Sequence, residues 1–295
     1  VQVTGAARRA GRLLGRLGTG LPDLPRLRPG AARRRLSPLT PARGPEVDRV
    51  AVLEGCVMPE LFPHVNRATV ESLAALGVAS LAPDRATCCG SLHAHNGDLA
   101  GARRLARRTI AAFAAAGDVP IVVNSAGCGA HMKEYPRLLA GEPAWRERAA
   151  AFAARVVDYS VYVAPRLAAH RPRLPPGALP LPAAWDDPCH LCHGQGVRAE
   201  PRAVLAAIAG LSTRELPDSE ACCGSAGLYS LLRPADSRAV FAGRLAAFRA
   251  AGARTLVTAN PGCQLQWETE LRRAGETAPV VHLAELVAAA LAAPG

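Results

Sequence analysis

Nine cysteines are spread through the 295 residues, and eight of them fall into two sets with the same internal spacing. Cys56, Cys88, Cys89 and Cys128 form the first set. Cys189, Cys222, Cys223 and Cys263 repeat it at offsets of 133, 134, 134 and 135 residues. In each set the first cysteine follows a Gly or Pro, an adjacent pair precedes a glycine (Gly90, Gly224), and the last cysteine follows one (Gly127, Gly262). Chance does not reproduce a four-cysteine spacing twice, so the chain is a tandem duplication. Whatever it folds into must bring the same four positions together in each half. Only Cys192 stands outside the repeat.

The length exceeds one ordinary domain, which agrees with two fused halves, and 49% hydrophobic residues suffice for real cores. The net charge of +11 would suit a nucleic-acid or membrane binder, but its location argues otherwise. Residues 1–44 hold ten arginines against the single acid Asp23, which leaves only +2 for the rest of the chain. The body carries no basic stripe interleaved with aromatics, so nucleic acid is excluded as a partner. No run of 18 apolar residues predicts a transmembrane segment, and no apolar signal core is visible. Nine cysteines without an export signal point to a reducing, cytoplasmic setting, where clustered cysteines are metal ligands or redox groups rather than disulfides.

Residues 1–45, rich in Arg and Pro, read as a solvated linker rather than an organelle transit peptide, with a short basic amphipathic helix over 9–17 and no regular structure beyond it. A first cysteine-rich domain is expected over 46–170, a Pro-rich linker over 171–182, and a second cysteine-rich domain over 183–295. In the first half, apolar runs predict strands at 50–53, 78–82 and 120–124. Helical spacing predicts helices at 66–76 and 98–116, and from near Gly129. A continuous helix over 144–167 would join the halves. The second half repeats the order, with a strand ending near Trp185, a helix at 203–208, a strand at 213–216, a helix at 240–251 and a strand at 255–260. A short strand and a closing helix fill 280–293. Alternating strands and helices predict an α/β fold of two tandem Rossmann-like halves, each a short parallel sheet flanked by helices.

In that architecture every repeat cysteine lies at or just beyond the C-terminal end of a strand, where loops of a parallel sheet converge and ligands bind. Four thiolates could hold zinc, but structural zinc sites draw on tight C-x2-C knuckles, whereas these come from loops about 31 and 38 residues apart. An iron–sulfur cluster suits the spacing better. Gly90 and Gly224 would turn the backbone and present amides to the sulfurs, and Cys128 and Cys263 each precede an expected helix N-terminus that favours thiolate. No cysteine has a partnered histidine in a nucleophile pattern, so no catalytic residue is assigned. Cys189-His190-Leu191-Cys192-His193 matches the C-x-x-C-H haem attachment pattern, yet that chemistry needs export and Cys189 already belongs to the repeat. Cys192 then reads as a small buried residue or an extra ligand. His131 and His193 are expected near the sites, supporting the ligands through hydrogen bonds, and His93 and His95 could line the first pocket. His64, His170 and His282 read as structural or solvated.

The stretches Leu53-Glu54-Gly55-Cys56, Cys88-Cys89-Gly90, Ser125-Ala126-Gly127-Cys128-Gly129 with Lys133-Glu134-Tyr135, Pro188-Cys189 with His193-Gly194-Gln195, Cys222-Cys223-Gly224-Ser225-Ala226-Gly227 with Tyr229, and Ala259-Asn260 with Gly262-Cys263 carry a family resemblance. The chain resembles the cysteine-rich CCG domains of heterodisulfide reductases and their relatives, and within that family the iron–sulfur subunits of bacterial glycolate oxidases. The resemblance implies an electron-transfer subunit with iron–sulfur clusters, [4Fe-4S] by expectation, on the eight repeat cysteines. Gly90, Gly127, Gly224, Gly262, His131 and His193 would line them. It implies a partner carrying FAD that oxidises glycolate to glyoxylate, with electrons passing on to a quinone at the membrane's inner face. Lactate or another 2-hydroxy acid is the alternative substrate, and a heterodisulfide-reductase-like thiol redox protein or a metal-stapled structural protein the alternative role. Family members carry a ferredoxin-like domain with two C-x2-C-x2-C-x3-C-P runs, which is not in this chain. The relatives' closing C-x2-C is His131 in one half and Gln266 in the other, so four cysteines per site are expected rather than five.

Overall fold

The computed structural model describes residues 35–83 and 87–292, and the helix expected at 9–17 lies outside them. Two open sheets form, one from each half. The first contains β1 (Leu39–Thr40), β2 (Asp48–Val52), β3 (Val78–Leu81), β4 (Ile121–Val123) and β5 (Val156–Asp158) in the order β1-β3-β2-β4-β5. All its pairings are parallel except the edge pair β1–β3. The second contains β6 (Ala183–Trp185), β7 (Thr213–Arg214), β8 (Thr255–Thr258) and β9 (Val280–His282) in the order β7-β6-β8-β9, all parallel. The expected α/β duplication is therefore present, with the same strand order β3-β2-β4-β5 and β7-β6-β8-β9 in the two halves.

Helices α1 (Met58–Leu61), α2 (Pro63–Ala75), α3 (Ser91–His95), α4 (Leu99–Ala112), α5 (Ala126–Lys133), α6 (Tyr135–Leu138), α7 (Pro143–Arg155) and α8 (Tyr159–Leu167) belong to the first half. The second half adds α9 (Cys189–Cys192), α10 (Ala199–Ala207), α11 (Tyr229–Leu232), α12 (Pro234–Ala250), α13 (Pro261–Arg273) and α14 (Leu283–Ala292).

Strand alternation decides which face each helix covers, because successive side chains point to opposite faces. Val50 and Val52 of β2, with Ala183 and Trp185 of β6, face one large core shared by both halves. Helices α2, α8, α10 and α14 fill it, α14 packing on α2 and α10 on α8. Ala51 and Leu53 face a second core under α4 and α7, and Ala184 and Leu256 face a third under α12 and α13. The halves thus pack back to back through four central helices, in a two-fold-like arrangement. This continuous apolar core binds them, so neither half buries its inner face alone.

Three expectations need correction. The single helix over 144–167 is broken by β5. The β-branched pair Val156-Val157 joins the edge of the first sheet, and Asp158 then caps α8 by accepting the Ser160 amide at 2.8 Å. The described end of the stretch read as linker, from Arg35, is tied down. The Arg35 guanidinium and the Leu36 amide both bond Glu54, and β1 pairs with β3 because an antiparallel edge tolerates the flanking Pro38 and Pro41. The stretch 171–182 is likewise anchored. The Leu174 amide bonds the Ala209 carbonyl at 2.9 Å, and Leu174 is buried in the shared core.

Candidate metal centre

Each repeat cysteine follows the C-terminal end of a parallel strand. Cys56, the Cys88-Cys89 pair and Cys128 come after β2, β3 and β4; Cys189, the Cys222-Cys223 pair and Cys263 come after β6, β7 and β8. Within each half they pair in the same way. The Cys56 and Cys88 sulfurs lie 3.4 Å apart and those of Cys89 and Cys128 3.2 Å; Cys189 bonds Cys222, and Cys223 lies 3.3 Å from Cys263. These separations are well beyond a disulfide's S–S bond of about 2.0 Å, so all are thiols. All eight line a single cavity of about 290 Å³ between the halves, and Cys192 does not. Two quartets expected one per half therefore open onto common space.

The backbone carries out what the glycines predict. Gly90 and Gly224 take left-handed φ angles of 87° and 81°. A Cβ on Gly224 would sit 2.5 Å from the Ser237 carbonyl oxygen, and one on Gly90 3.1 Å from that of Ala102. The turns aim amides at sulfur: Gly224 N–H donates to Cys222 at 3.3 Å and Ser91 N–H to Cys89 at 3.5 Å. Cys128 and Cys263 do not precede helices but occupy the first turns of α5 and α13, three residues after the N-caps Ser125 and Asn260. Asn260 joins the quartets, its side-chain oxygen accepting from the Gly127 amide at 3.1 Å while its nitrogen donates to Cys263 at 3.5 Å. On Gly262 a Cβ would lie 3.0 Å from the Ser225 hydroxyl.

Four converging thiols cannot all ionise unaided, because each new negative charge raises the cost of the next. Hydrogen bonds from Cys56 and then Cys89 pull Cys88 down to about 2, while the Cys88 contact pushes Cys56 up. The bond from Cys189 draws Cys222 down to about 6, and Cys189 rises in turn. Cys89, through its contact with Cys128, and Cys263, through its contact with Cys223, are also pushed up. In each half thiols share protons that a bound cationic core would displace. The donor set fits a thiolate-bound metal group.

The histidines distribute differently from the sequence reading. His95 lines the cavity, and so does His190, which the haem-like motif had set aside. Their rings stack across the halves with centroids 5.4 Å apart. His131 packs edge-on against His95 at 6.4 Å, and burial holds its pKa down to about 4. His93 bonds Asp98 at 2.8 Å and does not line the cavity. His193 points away, exposed beside Glu220, where its ligand atoms and those of Cys192 and Glu220 lie within 4.8 Å of one another. Arg198 already holds that glutamate at 2.6 Å. Asn260, Ser225 and His190 are among the cavity residues that the sequence did not assign to the site, although Ser225 and Asn260 stand in the family-like stretches; the adjacency of His190 to Cys189 was the available signal. Of the residues set aside as structural or solvated, His282 is fully buried and bonds the Asn124 carbonyl at 2.9 Å.

Two cysteine quartets on duplicated parallel-sheet units, opening on one cavity, define a class of tandem cysteine-rich proteins. The chain belongs to the CCG cysteine-rich domain family, whose pattern matches residues 50–133 and 183–268. It is 37% identical over 271 residues to the probable glycolate oxidase iron-sulfur subunit of Bacillus subtilis, covering 90% of this chain and 60% of that protein. To the glycolate oxidase iron-sulfur subunit of Escherichia coli it is 33% identical, covering 92% and 64%. It is 30% identical to lactate utilization protein A of an Exiguobacterium, covering 81% of this chain and 96% of that one. The chain thus spans less than two thirds of the length of the glycolate oxidase relatives. Among the described residues no helix is long and apolar enough to cross a membrane.

Proposed function

We propose that the chain is an iron–sulfur electron-transfer module of a 2-hydroxy-acid dehydrogenase, with glycolate as the first reading. The observation that carries it is that the eight repeat cysteines, and not the ninth, line one cavity. Cys56, Cys88, Cys89 and Cys128 would hold one cluster and Cys189, Cys222, Cys223 and Cys263 the other. Bound clusters, [4Fe-4S] by the resemblance, would accept and release single electrons. The chain's own contribution is to supply thiolates, to donate amide hydrogen bonds from Gly224 and Ser91 to sulfur, and to bury the sulfurs of Cys89, Cys223 and Cys263. FAD and the substrate would sit on a partner subunit, with a quinone as the onward acceptor. Glycolate is favoured by the two more identical relatives. Lactate is the second reading, favoured because the lactate utilization protein is matched along nearly its whole length.

Anaerobic reconstitution with ferrous iron and sulfide, followed by metal and sulfide counting and EPR, tests this. Two reducible clusters per chain are expected, and Cys88→Ser should remove one and keep the other. Failure to take up iron and sulfide together would overturn the cluster reading. Loss of both signals in the single variant would show that the quartets form one shared site. Reduction of the clusters by a flavin subunit given glycolate or lactate separates the two substrates.

A further inference from the structure

The duplication supplies an internal control for the surroundings of the two quartets. Aligned by strand and helix register, Leu53, Thr109, Val123 and Met132 of the first half correspond to Asp186, Arg244, Thr258 and Trp267 of the second; Ala102 and Ser237, whose carbonyls face Gly90 and Gly224, fix the register of α4 against α12. Leu53, Val123 and Met132 are buried in one apolar core, and Thr109, also buried, bonds the Cys88 carbonyl at 3.0 Å, so no charge stands at any of the four positions. The second group is a buried polar network. Arg244 donates to Asp186 at 2.8 Å and to the Asp218 carbonyl, Thr258 donates to Asp186 at 2.9 Å, and the guanidinium lies 5.7 Å from the Trp267 ring centre. Both charged side chains are only 2% exposed.

Stability does not call for such a pair, since well-packed apolar residues in its place are commonly neutral or better. The first half demonstrates that this fold needs no charge at any of the four positions. What the pair adds is charge beside one quartet. Asp186 stands three residues before Cys189 and bonds Thr258, five residues before Cys263, while Arg244 bonds the Asp218 carbonyl, four residues before Cys222, so the pair sits among the loops that carry the second quartet. A fixed carboxylate next to a cluster disfavours the added electron, and in a poorly screened interior the effect is strong.

We infer that Asp186, positioned by Arg244 and Thr258, lowers the reduction potential of the second-half centre and so makes the two centres of this chain electronically unequal. The inference rests on the cluster reading above. Asp186 is a tuning residue, acting through space on the ligands and touching no substrate. Unequal centres on one cavity give electrons a preferred resting place in the first half.

The test is a potentiometric EPR titration of the reconstituted full chain, in Cys88→Ser and Cys222→Ser backgrounds that leave one centre each. Asp186→Asn should raise the potential of the centre left by Cys88→Ser by at least the equivalent of a tenfold change in its reduced-to-oxidised ratio, ~59 mV for one electron. The centre left by Cys222→Ser should not move. Because Asp186→Asn leaves Arg244 without its partner, the paired variant Asp186→Leu/Arg244→Thr, which copies the first half, provides a second arm. It should shift the same centre upward while iron content stays at the level of its background. An unmoved second centre in both variants overturns the inference, as does an equal shift of both centres. A wild-type chain that takes up no cluster overturns instead the reading on which the inference rests.

Discussion

Two residues before its first cysteine, each half buries a carboxylate clamped by an arginine: Glu54 by Arg35 in one, Asp187 by Arg202 in the other. One residue earlier the halves part, with Leu53 in the first and Asp186 in the second. The shared positions are those that fix the loop and the ligands. The divergent ones surround the ligands. The duplicated scaffold thus holds its geometry in common and leaves the electrostatics of each quartet free to differ.

The sharpest way to break that comparison by stability is to remove one member of the second half's pair. Arg244→Leu leaves the Asp186 carboxylate buried without its cation, a loss of about 3–5 kcal/mol. The matching change in the first half, Thr109→Val, removes one hydrogen bond to the Cys88 carbonyl and should cost about 1 kcal/mol. Urea denaturation of both variants reads the difference. Equal costs would mean that the two shells are energetically alike despite their composition.

A smaller contrast lies in the turns after the paired cysteines. Alanine at either glycine meets a left-handed φ, which costs roughly 1–2 kcal/mol. Gly224→Ala also drives a Cβ to 2.5 Å from a carbonyl oxygen, against 3.1 Å at Gly90. Gly224→Ala should therefore be the more destabilising by about 1 kcal/mol in thermal or urea unfolding. If Gly90→Ala were the worse, the tighter packing of the second half's turn against α12 would not be what holds it.

Much of this was legible in the residues. Spacing alone related the eight cysteines, and apolar runs located β2, β4, β6 and β8 along with the loops that carry the ligands. The meeting of both quartets on one cavity was not legible, because it depends on α2 packing against α14 and α8 against α10, contacts with no periodic signature. Nor was β5. Val156 and Val157 look helical beside the alanines of α7 and become strand only by pairing with β4, a tertiary preference overriding a local one. His190 was hidden by a motif whose literal meaning belongs to exported haem proteins, and its stacking on His95 across the halves is a contact between residues far apart in sequence. Asp186 and Arg244 read as ordinary charges until burial joins them across 58 residues.

The finest contrast is in pH dependence, at two equivalent positions. Asp158 ends β5 and His282 ends β9; each is buried and caps the following helix, the carboxylate accepting from the Ser160 amide and the ring Nδ1 from the Ala284 amide at 3.1 Å. His282 donates Nε2–H to the Asn124 carbonyl, so its neutral form uses both nitrogens. Burial holds it down to about 3, whereas burial raises Asp158 to about 6. The signs oppose. The unfolded chain protonates this histidine below about pH 6.5 while the native one does not, so its stabilisation is lost as pH falls from there toward 3. The native chain keeps the Asp158 proton up to about pH 6 and the unfolded one releases it near 4, so that group's stabilisation is lost as pH rises through that window. Between pH 4 and 6 the two slopes, each up to ~1.4 kcal/mol per pH unit, cancel. Asp158→Asn, which keeps a capping oxygen, should expose the histidine and leave a chain that weakens on acidification across that window. His282→Asn should expose the carboxylate and leave one that strengthens. Urea midpoints at half-unit steps from pH 4 to 6.5 read both slopes, and parallel slopes in the two variants would show that these strand ends are not the opposed pair their burial makes them.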